Sequence, residues 1–263
     1  MRQRVFFLSI AAFWASCAFG QDAGNDWAKA KLAKSSRHGE YVQLKHGDRT
    51  LQAWVVYPEV AKKATAVVVI HEIFGLSDWA RLAADEFAEA GYIAIAPDLV
   101  GPLQEGQNMM QAVLRLPAQQ VLADLDAAAD YIKSQPAANG KVAVAGFCWG
   151  GLKSFDFATH RKDLGAALVF YGTPPKTDAL TNIVCPVYGF YAENDARVTS
   201  TVEKTEKAMK QAGKPYDVKI YEGAGHGFMR AGEPEAPKLK MFEANVRARK
   251  ESWERAKEIL GKL

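Results

Sequence analysis

A thiol, a carboxylate and an imidazole that together could cleave an acyl bond stand far apart in this 263-residue chain, at Cys148, Asp195 and His226. Cys148 lies in Gly146-Phe147-Cys148-Trp149-Gly150-Gly151, after the apolar run Lys141 to Ala145 and before the helix-like run Leu152 to His160. A strand that turns abruptly into a helix around Gly-x-Cys-x-Gly has the geometry of a nucleophile elbow, with Cys in the usual place of Ser. The nucleophile's backbone is strained there, so its neighbours two residues away on either side need almost no side chain, and glycine meets that need. The sulfur then stands over a helix N-terminus, which stabilises a thiolate. Read alone, the motif equally fits a buried structural Cys beside a tight turn.

His226 sits in Gly223-Ala224-Gly225-His226-Gly227-Phe228, late in the chain and directly after a strand-like run. Of the five histidines, it alone has that setting. Asp195 closes Tyr191-Ala192-Glu193-Asn194-Asp195 and suits a carboxylate that orients an imidazole. Glu193 is the competing acid, and a helix-capping role is the bland reading of Asp195. The order Cys, Asp, His is the chain order of α/β-hydrolases.

The elements that must position these groups follow from periodicity. Glu40–Leu44 and Thr50–Tyr57 read as a hairpin turning at His46-Gly47-Asp48. Ala64–Ile70 is a continuous β-branched run, as for a strand buried on both faces. Tyr92–Ala96, Lys141–Phe147, Ala166–Tyr171, Val184–Tyr191 and Asp217–Tyr221 read as further strands. Trp79–Ala90, Met109–Ser134 broken at Pro117, Leu152–Thr159, Thr199–Ala212 and Glu235–Leu263 read as helices. In the last of these, Phe242, Val246, Trp253 and Ile259 form the expected core side. Gly101–Gln107 and Thr173–Thr181 read as loops. Alternating strands and helices predict an α/β fold with a mostly parallel central sheet flanked by helices on both faces. In such sheets chemistry gathers at the carboxyl ends of strands.

The bulk properties bound the rest. Apolar residues are 49% and charged residues 24%, ordinary for a soluble domain. Residues 1–20 combine Arg2 and Arg4, an apolar run from Val5 to Phe13 and the small residues Ala18 and Gly20, the pattern of a secretory leader cleaved after Gly20. An uncleaved anchor and lipid attachment at Cys17 are the alternatives. Residues 21–36 read as a loose lead-in and 37–263 as one domain. The net charge of +3 loses Arg2 and Arg4 with the leader and becomes +1. So small a charge gives no case for nucleic acid or an anionic membrane surface. Export to the periplasm or beyond is expected, without stable membrane insertion, as a monomer or small homo-oligomer. Two cysteines, Cys148 and Cys185, then share an oxidising compartment, yet Cys185 lies inside a strand-like run and reads as a small buried hydrophobe.

The elbow, the loop His71-Glu72-Ile73-Phe74-Gly75 and Gly225-His226-Gly227-Phe228 together resemble the dienelactone hydrolase family, over roughly Ala64 to Phe228. The resemblance implies an α/β-hydrolase fold and hydrolysis of small-molecule esters or lactones without metal or organic cofactor. It implies Cys148 as nucleophile, His226 as general base then acid, and Asp195 as the orienting carboxylate. It further implies Glu72 as the carboxylate that touches the resting thiol, the backbone N–H groups of Ile73 and Trp149 as the oxyanion hole, and Arg230 as a substrate-carboxylate ligand. Glu72 also reads as a cap for the helix that follows. A metal held by His71 and Glu72 lacks a further His or Cys at ligand spacing. A second arginine, expected after Pro97-Asp98, has no counterpart in Val100–Met110, and Arg115 is the nearest. Two rival functions share the same residues: a non-catalytic binding protein on this fold, and a thiol-redox protein, which lacks a Cys-x-x-Cys pair.

Overall fold

A computed structural model describes residues 26–263. The expected leader, with Cys17 and Gly20, lies outside the described residues. The chain runs α1 (Asp26–Leu32), β1 (Gly39–His46), β2 (Arg49–Val56), β3 (Ala64–Ile70), α2 (Asp78–Glu89) and β4 (Ile93–Pro97). It continues through α3 (Met109–Leu114), α4 (Ala118–Ser134), β5 (Ala138–Phe147), α5 (Trp149–His160), β6 (Leu164–Phe170) and a 3-10 turn at Thr177–Asn182. It ends with β7 (Val187–Asn194), α6 (Ala196–Thr199), α7 (Val202–Gln211), β8 (Tyr216–Gly225), α8 (Phe228–Ala231) and α9 (Phe242–Leu260).

The eight strands form one sheet in the order β1-β2-β4-β3-β5-β6-β7-β8. β1, β2 and β4 pair antiparallel, and every other neighbouring pair is parallel. The apolar runs alternate between two buried layers. Ala66, Val68 and Ile70 of β3 face α4 and α5 side chains such as Leu125 and Phe155, while Val67 and Val69 face Trp79 and Phe87 of α2 and Ile259 of α9. A strand apolar on both faces needs such cover on both sides.

Beyond shifts of a few residues at other ends and the division of the expected Thr199–Ala212 helix into α6 and α7, four elements differ from the sequence reading. The seventh strand starts at Val187 and runs to Asn194, three residues later than expected. Pro186 has no N–H, yet its carbonyl accepts from Ala167, so pairing begins just beyond it and Val184 is left 55% exposed. The last strand runs on through the glycines to Gly225, with its register against β7 shifting between Ala192 and Asn194. The C-terminal helix starts at Phe242, and its buried seam is Asn245, Ala248, Arg249, Ser252, Ala256 and Ile259. Of the expected core side Ile259 is buried, while Phe242, Val246 and Trp253 are only half-buried and the neighbouring Asn245 and Ser252 take the seam in place of Val246 and Trp253. Last, Asp26–Leu32 of the supposed loose lead-in is helical, with Ala28 fully buried and Trp27 packed 6.2 Å from Trp79.

Buried charge fastens this helix. Lys31 pairs with Glu86 and Glu233, and Arg249 pairs with the same two carboxylates. Arg249 also donates to the Met229 carbonyl at 2.7 Å and lies near the faces of Trp79 and Trp253. Burial raises the Glu233 carboxyl above its usual range against the opposing pull of Arg249. Among the described residues, no helix is long and apolar enough to cross a membrane.

Candidate active site

Strand register brings the chemistry together. Ile70 pairs with Gly146, Phe147 with Phe170, and Asn194 with Gly225. The residues just past those strand ends are His71, Glu72, Cys148, Tyr171, Asp195 and His226. They gather at the carboxyl end of the sheet, where α/β sheets carry their sites.

Cys148 has φ 57° and ψ −113°, a conformation costly for any residue with a Cβ. Its backbone is pinned on both sides: its N–H donates to Phe170 at 3.0 Å, and its carbonyl accepts from Leu152 at 3.2 Å. The turn also needs close backbone packing. A Cβ on Gly150 would overlap the Ile70 carbonyl and lie 2.6 Å from the His71 oxygen, where real Cβ atoms stay beyond 3.0 Å.

The Cys148 sulfur faces His226 Nε2 at 3.1 Å, and His226 Nδ1 faces Asp195 Oδ2 at 2.5 Å. A carboxylate can only accept, so Nδ1 carries the proton. Burial pulls the imidazole down, but the bonds to Asp195 and Cys148 outweigh it and push its pKa up to about 10. Gly227, at φ 74°, starts the turn that follows the imidazole. Asp195 is 7% exposed, and its side chain makes no capping bond to α6. The competing Glu193 turns away and accepts the Gly223 N–H at 2.8 Å.

Glu72 is buried and accepts from Arg230 Nε at 3.1 Å. It was expected on the resting thiol. Here the sulfur's hydrogen-bond partner is His226, and the guanidinium, set over the Phe74 ring at 5.3 Å, draws the carboxylate to itself. Nor does Glu72 cap α2, since Ser77 Oγ accepts the Ala80 N–H in that role. Ile73 lies in the turn after β3. Trp149 is the first residue of α5, so its N–H has no intrahelical partner. Arg115 is exposed at the C-cap of α3 and lines a cavity of about 220 Å³ with Gln107, Asn108 and Gln111. Cys148 and Cys185 are both free, and Cys185 is buried.

Of two further residues at the rim, the sequence reading passes over Tyr171 and weighs His71 only as a metal ligand. Tyr171 is fully buried at φ 40°, with its ring edge-on to His226 at 5.1 Å and its hydroxyl without a partner among the described residues. His71 is 1% exposed and stacks on Trp149. The signal available for both was position alone, since each closes or follows a strand at its carboxyl end.

The sheet order and the elbow at β5 define an α/β-hydrolase. The sequence profile of the dienelactone hydrolase family matches residues 51–263. The chain belongs to that family and is an ester and lactone hydrolase by class. A relative from Yersinia pestis, named "Putative carboxymethylenebutenolidase", is 31% identical over 209 residues, covering 72% of this chain and 78% of its own. A crystal structure described as "Putative Dienelactone Hydrolase", from Klebsiella pneumoniae, superposes with a TM-score of 0.75 at 25% identity, covering 87% of this chain and all of that one. An esterase of Pyrobaculum calidifontis shares the fold, with a TM-score of 0.66 at 15% identity over 90% of this chain and 91% of its own.

Proposed function

We propose that this chain hydrolyses small carboxylic esters or lactones through Cys148, His226 and Asp195, by way of a thioester. The observation that carries the reading is the unbroken hydrogen-bond chain from sulfur through imidazole to carboxylate. The bonds to Asp195 and Cys148 raise the His226 pKa, which keeps a proton donor 3.1 Å from the sulfur, and Cys148 attacks as the thiolate. The thiolate adds to the carbonyl carbon. The new oxyanion is held by the Ile73 and Trp149 N–H groups. His226 passes its Nε2 proton to the leaving oxygen as the tetrahedral adduct collapses to thioester and alcohol. The imidazole, now neutral, takes a proton from water, and the hydroxide adds to the thioester. Collapse expels Cys148 thiolate and leaves the acid. For a lactone the freed hydroxyl stays on the acyl chain, and the second step releases a single hydroxy acid.

Arg230 gives the site a preference for anionic substrates. A substrate carboxylate that takes the guanidinium competes with Glu72 for it. Export belongs to the same reading and is supported by the composition of residues 1–20. The test is turnover of p-nitrophenyl acetate and an unsaturated lactone by wild type and Cys148→Ala. Loss of all turnover above background in the variant is expected. Undiminished turnover would remove Cys148 from the mechanism.

A further inference from the structure

We propose that His71 is a positioning residue of the oxyanion hole, acting chiefly through the donor it gives to the peptide that carries the Ile73 N–H. This rests on the reading that Ile73 and Trp149 supply them. Three contacts of one residue support it. His71 Nδ1 donates to the Glu72 carbonyl at 2.7 Å. That carbonyl and the Ile73 N–H are the two ends of one planar peptide unit. Fixing the oxygen therefore fixes the direction of the N–H, and the bond polarises the unit so that its N–H donates more strongly. The His71 ring also stacks on the Trp149 indole, with centroids 5.4 Å apart and planes 13° apart, which holds the residue that brings the second N–H. Third, the His71 backbone carbonyl lies against Gly150, the next residue of the elbow helix. One side chain thus ties the loop after β3 to the first turn of α5.

The imidazole is built for a fixed bond rather than proton transfer. It is 1% exposed, and its Nε2 has no partner among the described residues. Burial lowers its pKa, over the opposing effects of the Glu72 carbonyl and Asp98. The ring stays neutral, and its single proton stays on the nitrogen that faces the carbonyl. Phenylalanine at 71 would keep the stack and lose the donor. Asparagine would keep a donor at nearly the same place and lose the ring.

The experiment compares wild type, Cys148→Ala, His71→Phe and His71→Asn on p-nitrophenyl acetate, with circular dichroism to establish folding. His71→Phe is expected to lose about 10-fold to 100-fold in kcat with KM within about twofold, and His71→Asn to keep kcat within about fivefold. An unchanged kcat in His71→Phe, an equal loss in both variants, or a loss confined to KM overturns the proposal. Inactive wild type, or active Cys148→Ala, refutes instead the triad reading beneath it. Nitrogen NMR of histidine-labelled wild type covers a variant that fails to fold. The expected result is a protonated Nδ1 and a bare Nε2 at pH 7, and the opposite tautomer overturns the proposal.

Discussion

Gly150→Ala tests whether the elbow works by backbone proximity. The added Cβ would overlap the Ile70 carbonyl oxygen and reach 2.6 Å from that of His71, whereas 3.0 Å is the practical limit. Both neighbours are backbone at the end of β3, so no side chain can swing aside. Relieving the His71 contact alone takes at least about 0.4 Å, and the Ile70 contact takes more. The displacement falls between Cys148 and the Glu72–Ile73 loop. A misplacement of about 1 Å in an active site costs about 100-fold, so a shift of about half that distance costs about 10-fold. Overpacking of this kind also costs about 1–3 kcal/mol, which lowers the melting temperature by about 2–12 °C in a domain this size. Gly165→Ala is the control, because its Cβ meets only the flexible Leu263 side chain at 3.0 Å. Steady-state hydrolysis of p-nitrophenyl acetate and calorimetry on both variants decide the matter. A Gly150→Ala enzyme with wild-type kcat would refute the argument that the elbow and the loop are held at contact distance.

Asp195→Asn is expected to cut kcat by about 10³-fold to 10⁴-fold, through loss of the imidazole's orientation and charge. The raised His226 pKa stabilises the fold fully below its ordinary 6.5, and that contribution is lost as pH rises through about 10. The stability gap between wild type and Asp195→Asn, from urea titrations, should therefore be widest near pH 6 and close by pH 10; a gap that widens with pH would contradict the assignment. Arg249→Leu leaves Glu86 and Glu233 with Lys31 alone and should cost about 3–5 kcal/mol, or about 6–20 °C in melting temperature. Calorimetry reads it directly, and a fall of less than about 0.5 kcal/mol would mean the quartet is solvated like a surface pair.

Much of the site was legible because its causes are local. A β-branched run such as Ala64–Ile70 marks a doubly covered strand. Glycines around Cys148, and around His226, mark backbone forced into tight turns. What escaped depends on partners distant in sequence. Nothing near Glu72 says that its carboxylate will meet Arg230, 158 residues later, rather than the thiol. The helicity of Asp26–Leu32 rests on Glu86 and Trp79 of α2 and on Glu233 after α8, which an isolated reading of a Lys- and Ala-rich stretch cannot weigh. On α9 Ile259 is buried as its apolar character predicts, whereas close packing against the sheet selected Ala248, Ser252 and Ala256 over the bulkier Val246 and Trp253 for the rest of the seam. Arg249, buried among them, is tolerable only because two carboxylates and two indoles await it.

The backbone at Cys148 lies at φ 57°, where a β-carbon is unwelcome and only glycine rests easily. The reactive sulfur is therefore carried at a position the fold would rather give to hydrogen. Selection for thermal endurance alone would drift position 148 to glycine, gaining robustness and extinguishing chemistry. Holding cysteine there is a continuous choice of reactivity over rest.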